Sequence, residues 1–335
     1  MSELRDVGMP WGGTGLDPEG YADFVAKEYL GEYVRAGGAA VRFVVVSNDD
    51  GATRWHRSLA AAADGEGYLY VAADSTDCRV HLIEQIFAAV ARQVDWRDLA
   101  RRQVRAAWTS LGLPPETPDS LSVTAVAAHH DVDIPEAARS MRRQLESTLL
   151  RDPTLAREFR LAVLRLCQSE LGTGDVLDSE RRAVTAWLRV EPVALRLVRS
   201  ASLHDRVARH NARSMLVSLA AWHAHVTGVG IVLDIDLSRL AVARRPPAEE
   251  RVGHYYSKAA VLDAYEVLRQ IVDATDSMRS AFVAVALPPE LVTDETRGLP
   301  AYSALHLRVV DEIRDRRRPN PFAALVRLET RLEAV

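Results

Sequence analysis

The sequence predicts an α/β fold on a parallel five-stranded sheet, and three observations predict it. Five short, continuous apolar runs occur at about 41–47, 68–74, 230–236, 281–287 and 323–328. Helical patterns separate them, as parallel strands covered on both faces require. The third observation is the interval between the second and third runs, about 95–227. It is rich in Ala, Leu and Arg, helical in pattern, and too long for a simple crossover, so it predicts a large helical insertion. The division that follows is a flexible N-terminal arm at 1–20, a first half of the α/β core at 21–94, the insertion at 95–227 and a second half of the core at 228–335.

Each element has a local reason. "YADFVAKEYLGEYVRAGG" carries apolar residues at helical spacing and closes on Gly37-Gly38, a helix stop. "VRFVVVS" is the first strand. A helix is expected from Thr53 to about Ala63, ended by Gly65 and Gly67, and "YLYVAAD" is the second strand, closed by Asp74. "HLIEQIFAAVARQV" is amphipathic. The insertion is broken at "GLPPETPDS", "DVDIP" and "GTGDVLDSE", where Pro, Gly and Asp cluster. "GIVLDID" is the third strand, "AAVLDAYEVLRQIVDATD" a helix, "AFVAVALPPE" the fourth strand, "YSALHLRVVDEIRDRRR" a helix with a basic end, and "FAALVRLET" the fifth strand.

Composition narrows the function classes. Of 335 residues, 48% are hydrophobic and 26% charged, as in ordinary globular chains. No apolar run reaches the ~18 residues of a membrane span, and the first residues lack a signal-peptide pattern, so a cytoplasmic chain without membrane contact is expected. Cys78 and Cys167 stand far apart without nearby histidines, which reads as buried thiols rather than a zinc site. A net charge of −4 argues against a domain-wide nucleic-acid surface. Almost every basic residue is arginine; the only lysines are Lys27 and Lys258.

The chemistry centres on the turn after the first strand. A P-loop reads G-x-x-x-x-G-K-[ST] between a strand and a helix. Here that frame is Val46-Ser47-Asn48-Asp49-Asp50-Gly51-Ala52-Thr53. Gly51 would let backbone approach phosphate, and Thr53 is the hydroxyl that would meet Mg²⁺. The leading glycine is Val46, and the lysine that places charge on the β- and γ-phosphates is Ala52. Asp49 and Asp50 would repel a triphosphate unless a cation intervenes. A filled loop would use Ser47 to Arg54 with ATP and Mg²⁺ as candidate ligands. An empty one is a tight turn with an Asx-type helix cap. "GIVLDID" would deliver Asp234 to the metal, and Asp236 shares its face because strand side chains alternate. Ile235 stands where an acidic residue would polarise water.

Other candidates are weaker. Arg308, Arg314, Arg316, Arg317 and Arg318 sit on the basic helix; Arg308 and Arg314 are the candidate arginine fingers, against a solvated helix end. His204, Arg206, Arg209, His210, Asn211 and Arg213 are expected on a helix whose "MLVSLAAW" part is core. His129-His130 lacks a third ligand at metal spacing.

The ordered series "NARSMLVSLAAW…GVGIVLDIDLSRL…YYSKAAVLDAYEVLRQIVDATD…VALPPELVTDETRGLPAYSALHLRVVDEIRDRRRPNPFAALVRL", with "YLGEYVRAGGAAVRFVVV" and "EGYLYVAADS" upstream, resembles the bacterial BREX-system ATP-binding domain proteins, P-loop proteins distantly similar to AAA+ and STAND ATPases. The resemblance covers about Tyr21 to Leu328. It implies a P-loop NTPase-type core and a cytoplasmic subunit of an anti-phage defence system. Its partners would be other defence proteins, among them a related ATPase with an intact P-loop, with DNA a further candidate. By position, Gly51 and Thr53 match the end of the family's phosphate loop and Asp234 its metal-binding aspartate. Ala52, Val46 and Ile235 depart from the pattern. They point to a degenerate member with little or no hydrolysis alone. The alternatives are an ATPase completed in trans by a partner and a nucleotide-free scaffold.

Overall fold

Strand β1 (Ala39–Val46) pairs on one side with β4 (Ala281–Leu287) and on the other with β5 (Leu325–Leu328); β3 (Ile231–Asp236) joins β4 to β2 (Leu69–Asp74). All four pairings are parallel, giving the order β2-β3-β4-β1-β5. This is the five-stranded sheet of P-loop NTPase type that the sequence predicts. A computed structural model of the chain describes residues 16–310 and 320–329. Arg314, Arg316, Arg317 and Arg318 lie outside the described residues, as does most of the expected N-terminal arm.

Alternation along each strand divides the core into two. Ala40, Val44 and Val46 of β1, Val232 of β3, and Phe282, Ala284 and Ala286 of β4 face one layer. That layer holds α1 (Pro18–Phe24), its continuation as a wider π-type turn through Val25–Val34, and α2 (Asp49–Gly65). Helix α2 presents Gly51, Trp55, Leu59 and Ala63 to the sheet, one residue every four, which is the stripe a helix needs to bury a face. Phe43, Val45, Leu233, Ile235, Val283 and Val285 point the other way. There they meet α3 (Ile83–Gln93) and α10 (Lys258–Asp273).

The helical block comprises α4 (Trp96–Ser110), α5 (Val123–His130), α6 (Ile134–Leu145), α7 (Arg157–Ser169), α8 (Asp178–Leu188) and α9 (Ala212–Thr227). Its hydrophobic core is continuous with the second face of the sheet. Trp96 and Phe159 close on Trp222 of α9 with ring centroids 6.3 and 5.8 Å away. After β4, short α11 (Glu290–Thr293) and α12 (Ser303–Val309) lead toward β5.

Several expectations are corrected. Residues 16–20, expected in the arm, join the fold: Leu16 bridges to Leu328, Asp17 caps α1 through Gly20 N, and Pro18 opens it. The helix expected from Thr53 begins four residues earlier, at Asp49, because Asn48 caps it. Residues 204–211 are not helical. Asn211 instead folds back, accepting from Ala208 N and donating to Arg206 O, and α9 starts one residue later. The core reading of its later part holds, with Met215, Leu216, Leu219 and Trp222 buried.

Candidate functional site

Every residue of β3 is buried, so Asp234 and Asp236 project from the inward face of the sheet toward α2. Two carboxylates there need a cation, since an unpaired buried charge costs several kcal/mol, on the order of 3–5 in most folds. His56 supplies it. Its Nδ1 lies 2.6 Å from Asp234 Oδ2 and its Nε2 3.7 Å from Asp236 Oδ2. Their side chains are 28%, 0% and 11% exposed for His56, Asp234 and Asp236.

The neighbours explain the geometry. Ala284 and Ala286 of β4 stand beside Asp234 and Asp236 in register, on the same face. Their methyls leave room for a helix to lie close to the sheet. Trp55, Leu59 and Ala63 anchor α2 there, which fixes His56 over the aspartates. Tyr70 of β2 donates to the same Asp234 Oδ2 at 2.7 Å, while Asp234 Oδ1 is enclosed with no hydrogen-bond partner. Asp236 Oδ1 accepts from Ser238 N at 3.0 Å, from the Ser238 hydroxyl, and from Ser75 Oγ at 3.4 Å.

Protonation follows these contacts. Burial lowers the ionisation of His56, but the hydrogen bonds to Asp234 and Asp236 and their charges outweigh it, raising it from 6.5 to about 10. For Asp236 burial acts upward, and the His56 and Ser238 hydrogen bonds overcome it, so its carboxyl is held below the ordinary range. Burial first, then the Asp234 charge, pushes the Tyr70 phenol well above its ordinary value, so it stays a donor. Near neutral pH His56 is an imidazolium held against the two aspartates.

The turn before α2 is built from its own residues. Only Ser47 and Asn48 separate β1 from α2. Asn48 Oδ1 takes the Gly51 N–H at 2.7 Å, and Ser47 Oγ donates to Leu328 O at 3.1 Å. Asp49 and Asp50 occupy the first helical turn, where the helix dipole favours negative charge. Ala52 packs against the core. Thr53 is exposed and its hydroxyl donates to Asp49 O at 2.9 Å. Arg54 forms a two-pronged pair with Glu19, at 2.8 and 2.7 Å. A phosphate cradle needs free amides on a longer loop. As folded, the residues do not fit a Mg²⁺-bound triphosphate: the Gly51 amide and the Thr53 hydroxyl are engaged within the chain, and His56 stands over both aspartates of β3, leaving the enclosed Asp234 Oδ1 as the oxygen of Asp234 without a partner.

The structure thus brings Asp234 and Asp236 together but joins neither to Thr53. Arg308 is turned away as well. It pairs with Asp273 at 2.6 Å, at the C-terminal end of α10. Helix α10 runs back from β3 to the start of β4, so that end lies at the opposite edge of the sheet from Asp236. His130 bonds to Pro114 O at 2.8 Å, and no metal-holding group of three His, Cys, Asp or Glu occurs among the described residues. Among them, too, no helix is long and apolar enough to cross a membrane. His56 and Tyr70 escaped sequence reasoning. The signal was there in part: two aspartates on one strand face demand a partner, and His56 lies beside the buried stripe of the next-layer helix.

A family model described as BREX system ATP-binding protein BrxC/D matches residues 27–333. Neither a curated protein nor a solved structure matches the chain.

Proposed function

The chain belongs to the family of BREX system ATP-binding proteins BrxC/D, and from that membership we propose a BREX subunit that regulates or assembles rather than hydrolyses ATP alone. Membership makes it a component of a BREX anti-phage system that works with other proteins of that system. The observation that carries the finer reading is the His56 clamp on Asp234 and Asp236. An aspartate that accepts from an imidazolium and a phenol has no open lone pair of good geometry on that oxygen for a metal. The short Ser47-Asn48 turn and Ala52 support the same reading. Hydrolysis would then belong to a partner, a related ATPase with an intact G-x-x-x-x-G-K-[ST] loop.

The test is steady-state ATP hydrolysis with Mg²⁺ by the purified chain and by Asp234→Asn. Turnover at background in both is expected. Turnover well above background that Asp234→Asn abolishes would overturn the proposal, because Asp234 would then serve a metal.

A further inference from the structure

The connection from β3 to α10 folds over the carboxyl ends of β2 and β3, the edge where open α/β sheets place ligands. With the turn after β2 it borders an open-mouthed cavity of about 580 Å³ lined by Arg79, His81, Arg239, Arg245, Arg251 and His254. No carboxylate lines it among the described residues. Asp263 and Glu84 lie close enough to act on His81, but neither reaches the cavity wall. Arginines elsewhere are commonly paired, as Arg54, Arg165 and Arg269 are. None of the four cavity arginines has an ion pair among the described residues. Two groups at the wall, Arg239 Nε and His81 Nδ1, are enclosed without a hydrogen-bond partner among the described residues.

The cavity is held in shape. Gly253 takes φ +63°, and a Cβ there would lie 2.6 Å from Thr76 O, so only glycine lets this loop lie against the turn after β2. His254 N donates to Thr76 O at 3.0 Å. The Tyr256 hydroxyl donates to Cys78 O at 2.6 Å and lies 2.9 Å from Ser75 O. Beneath, the buried Arg297 guanidinium donates to Tyr256 O and Leu240 O. Arg79, Arg245 and Arg251 are exposed at the mouth and Arg239 is half-buried at the wall, so the four guanidinium groups are open to a phosphate, which each can hold through paired N–H bonds. The volume lies in the range of small-ligand pockets, roughly 300–1,000 Å³. At the rim, Tyr255 and Val252 are 37% and 64% exposed, an apolar surface suited to an aromatic ring. A bounded cavity, rather than a stripe, on a chain of net charge −4 favours a small ligand over a nucleic-acid strand.

We propose that this cavity binds a nucleoside polyphosphate, its phosphates held by Arg79, Arg239, Arg245 and Arg251 and its base against Tyr255. This site is separate from the β1–α2 turn and does not depend on the reading of the clamp. The experiment is calorimetry with ATP, inorganic tripolyphosphate and a single-stranded oligonucleotide without terminal phosphate. The proteins are wild type, Arg245→Gln/Arg251→Gln and Thr53→Ala. Arg245 and Arg251 are exposed, so their variant should melt as wild type does, and Arg245→Gln alone serves if it does not. The expected result is one ATP per chain, tripolyphosphate binding at the same site, at least tenfold weaker binding of both in the arginine variants, and no change in Thr53→Ala. The proposal is overturned by no ATP binding at millimolar concentration or by ATP binding indifferent to the arginines. Loss in Thr53→Ala alone, or an oligonucleotide bound in preference to ATP, overturns it as well.

Discussion

Replacing His56 by Gln removes the cation from a buried pair of carboxylates, and the size of the loss can be worked from the structure. The rise of its ionisation from 6.5 to about 10 sets a ceiling of about 5 kcal/mol. The side chain is 28% exposed, and Tyr70 still donates to Asp234 in the variant. The expected loss is therefore about 3 kcal/mol, at the lower end for breaking a buried pair. The sign with pH follows from the direction. The folded value lies above the unfolded one, so the contribution is whole below 6.5 and is lost as pH rises through about 10. Wild type should lose stability across that window, and the variant should not. Urea unfolding from about pH 6 to about pH 10, with constant m, reads the effect directly. Asp234→Asn in the same background closes a double-mutant cycle, with a coupling of about 1–3 kcal/mol expected. A loss below about 0.5 kcal/mol at neutral pH, or an equal loss at both ends of the window, would refute the reasoning.

Three further outcomes follow from named contacts. Tyr70→Phe deletes a hydrogen bond to a buried carboxylate and should cost about 2 kcal/mol in the same unfolding assay. Gly230→Ala would place a Cβ 1.7 Å from Ser280 O where β3 and β4 begin side by side, so a loss of about 3 kcal/mol or more is expected, read as a lower melting temperature. Cys78 and Cys167 are both buried, and burial pushes the Cys78 thiol up to about 12 and that of Cys167 higher than its ordinary value as well. Neither should react with a thiol reagent at pH 8 until the chain unfolds.

How much of this was legible in the sequence depended on the kind of signal. All five strands were readable within two residues or so because buried parallel strands are uninterrupted apolar runs. Their order was not, since nothing local says that β4 lies between β1 and β3. That order matters: it sets Ala284 and Ala286 beside the aspartates and lets α2 span from β1 to β3. The sequence pattern places Gly51 in a loop and the helix start at Thr53, whereas the Asn48 cap draws Gly51 into the first turn. Asp234 and Asp236 were identifiable from the strand end and their shared face. His56 lies 178 positions from Asp234, and only tertiary packing brings the two together. The basic cavity was equally hidden, because its arginines come from two separate connections, around 79–81 and 239–254.

The most direct test of the central claim, that an internal imidazolium holds Asp234 and Asp236, is an NMR titration of the His56 ring nitrogens, assigned by comparison with His56→Gln. The expected result is a ring protonated at both nitrogens at pH 8 that titrates at about 10. A ring that is neutral at pH 8 and titrates near 6.5 would contradict it, and the two aspartates would then be free for another cation.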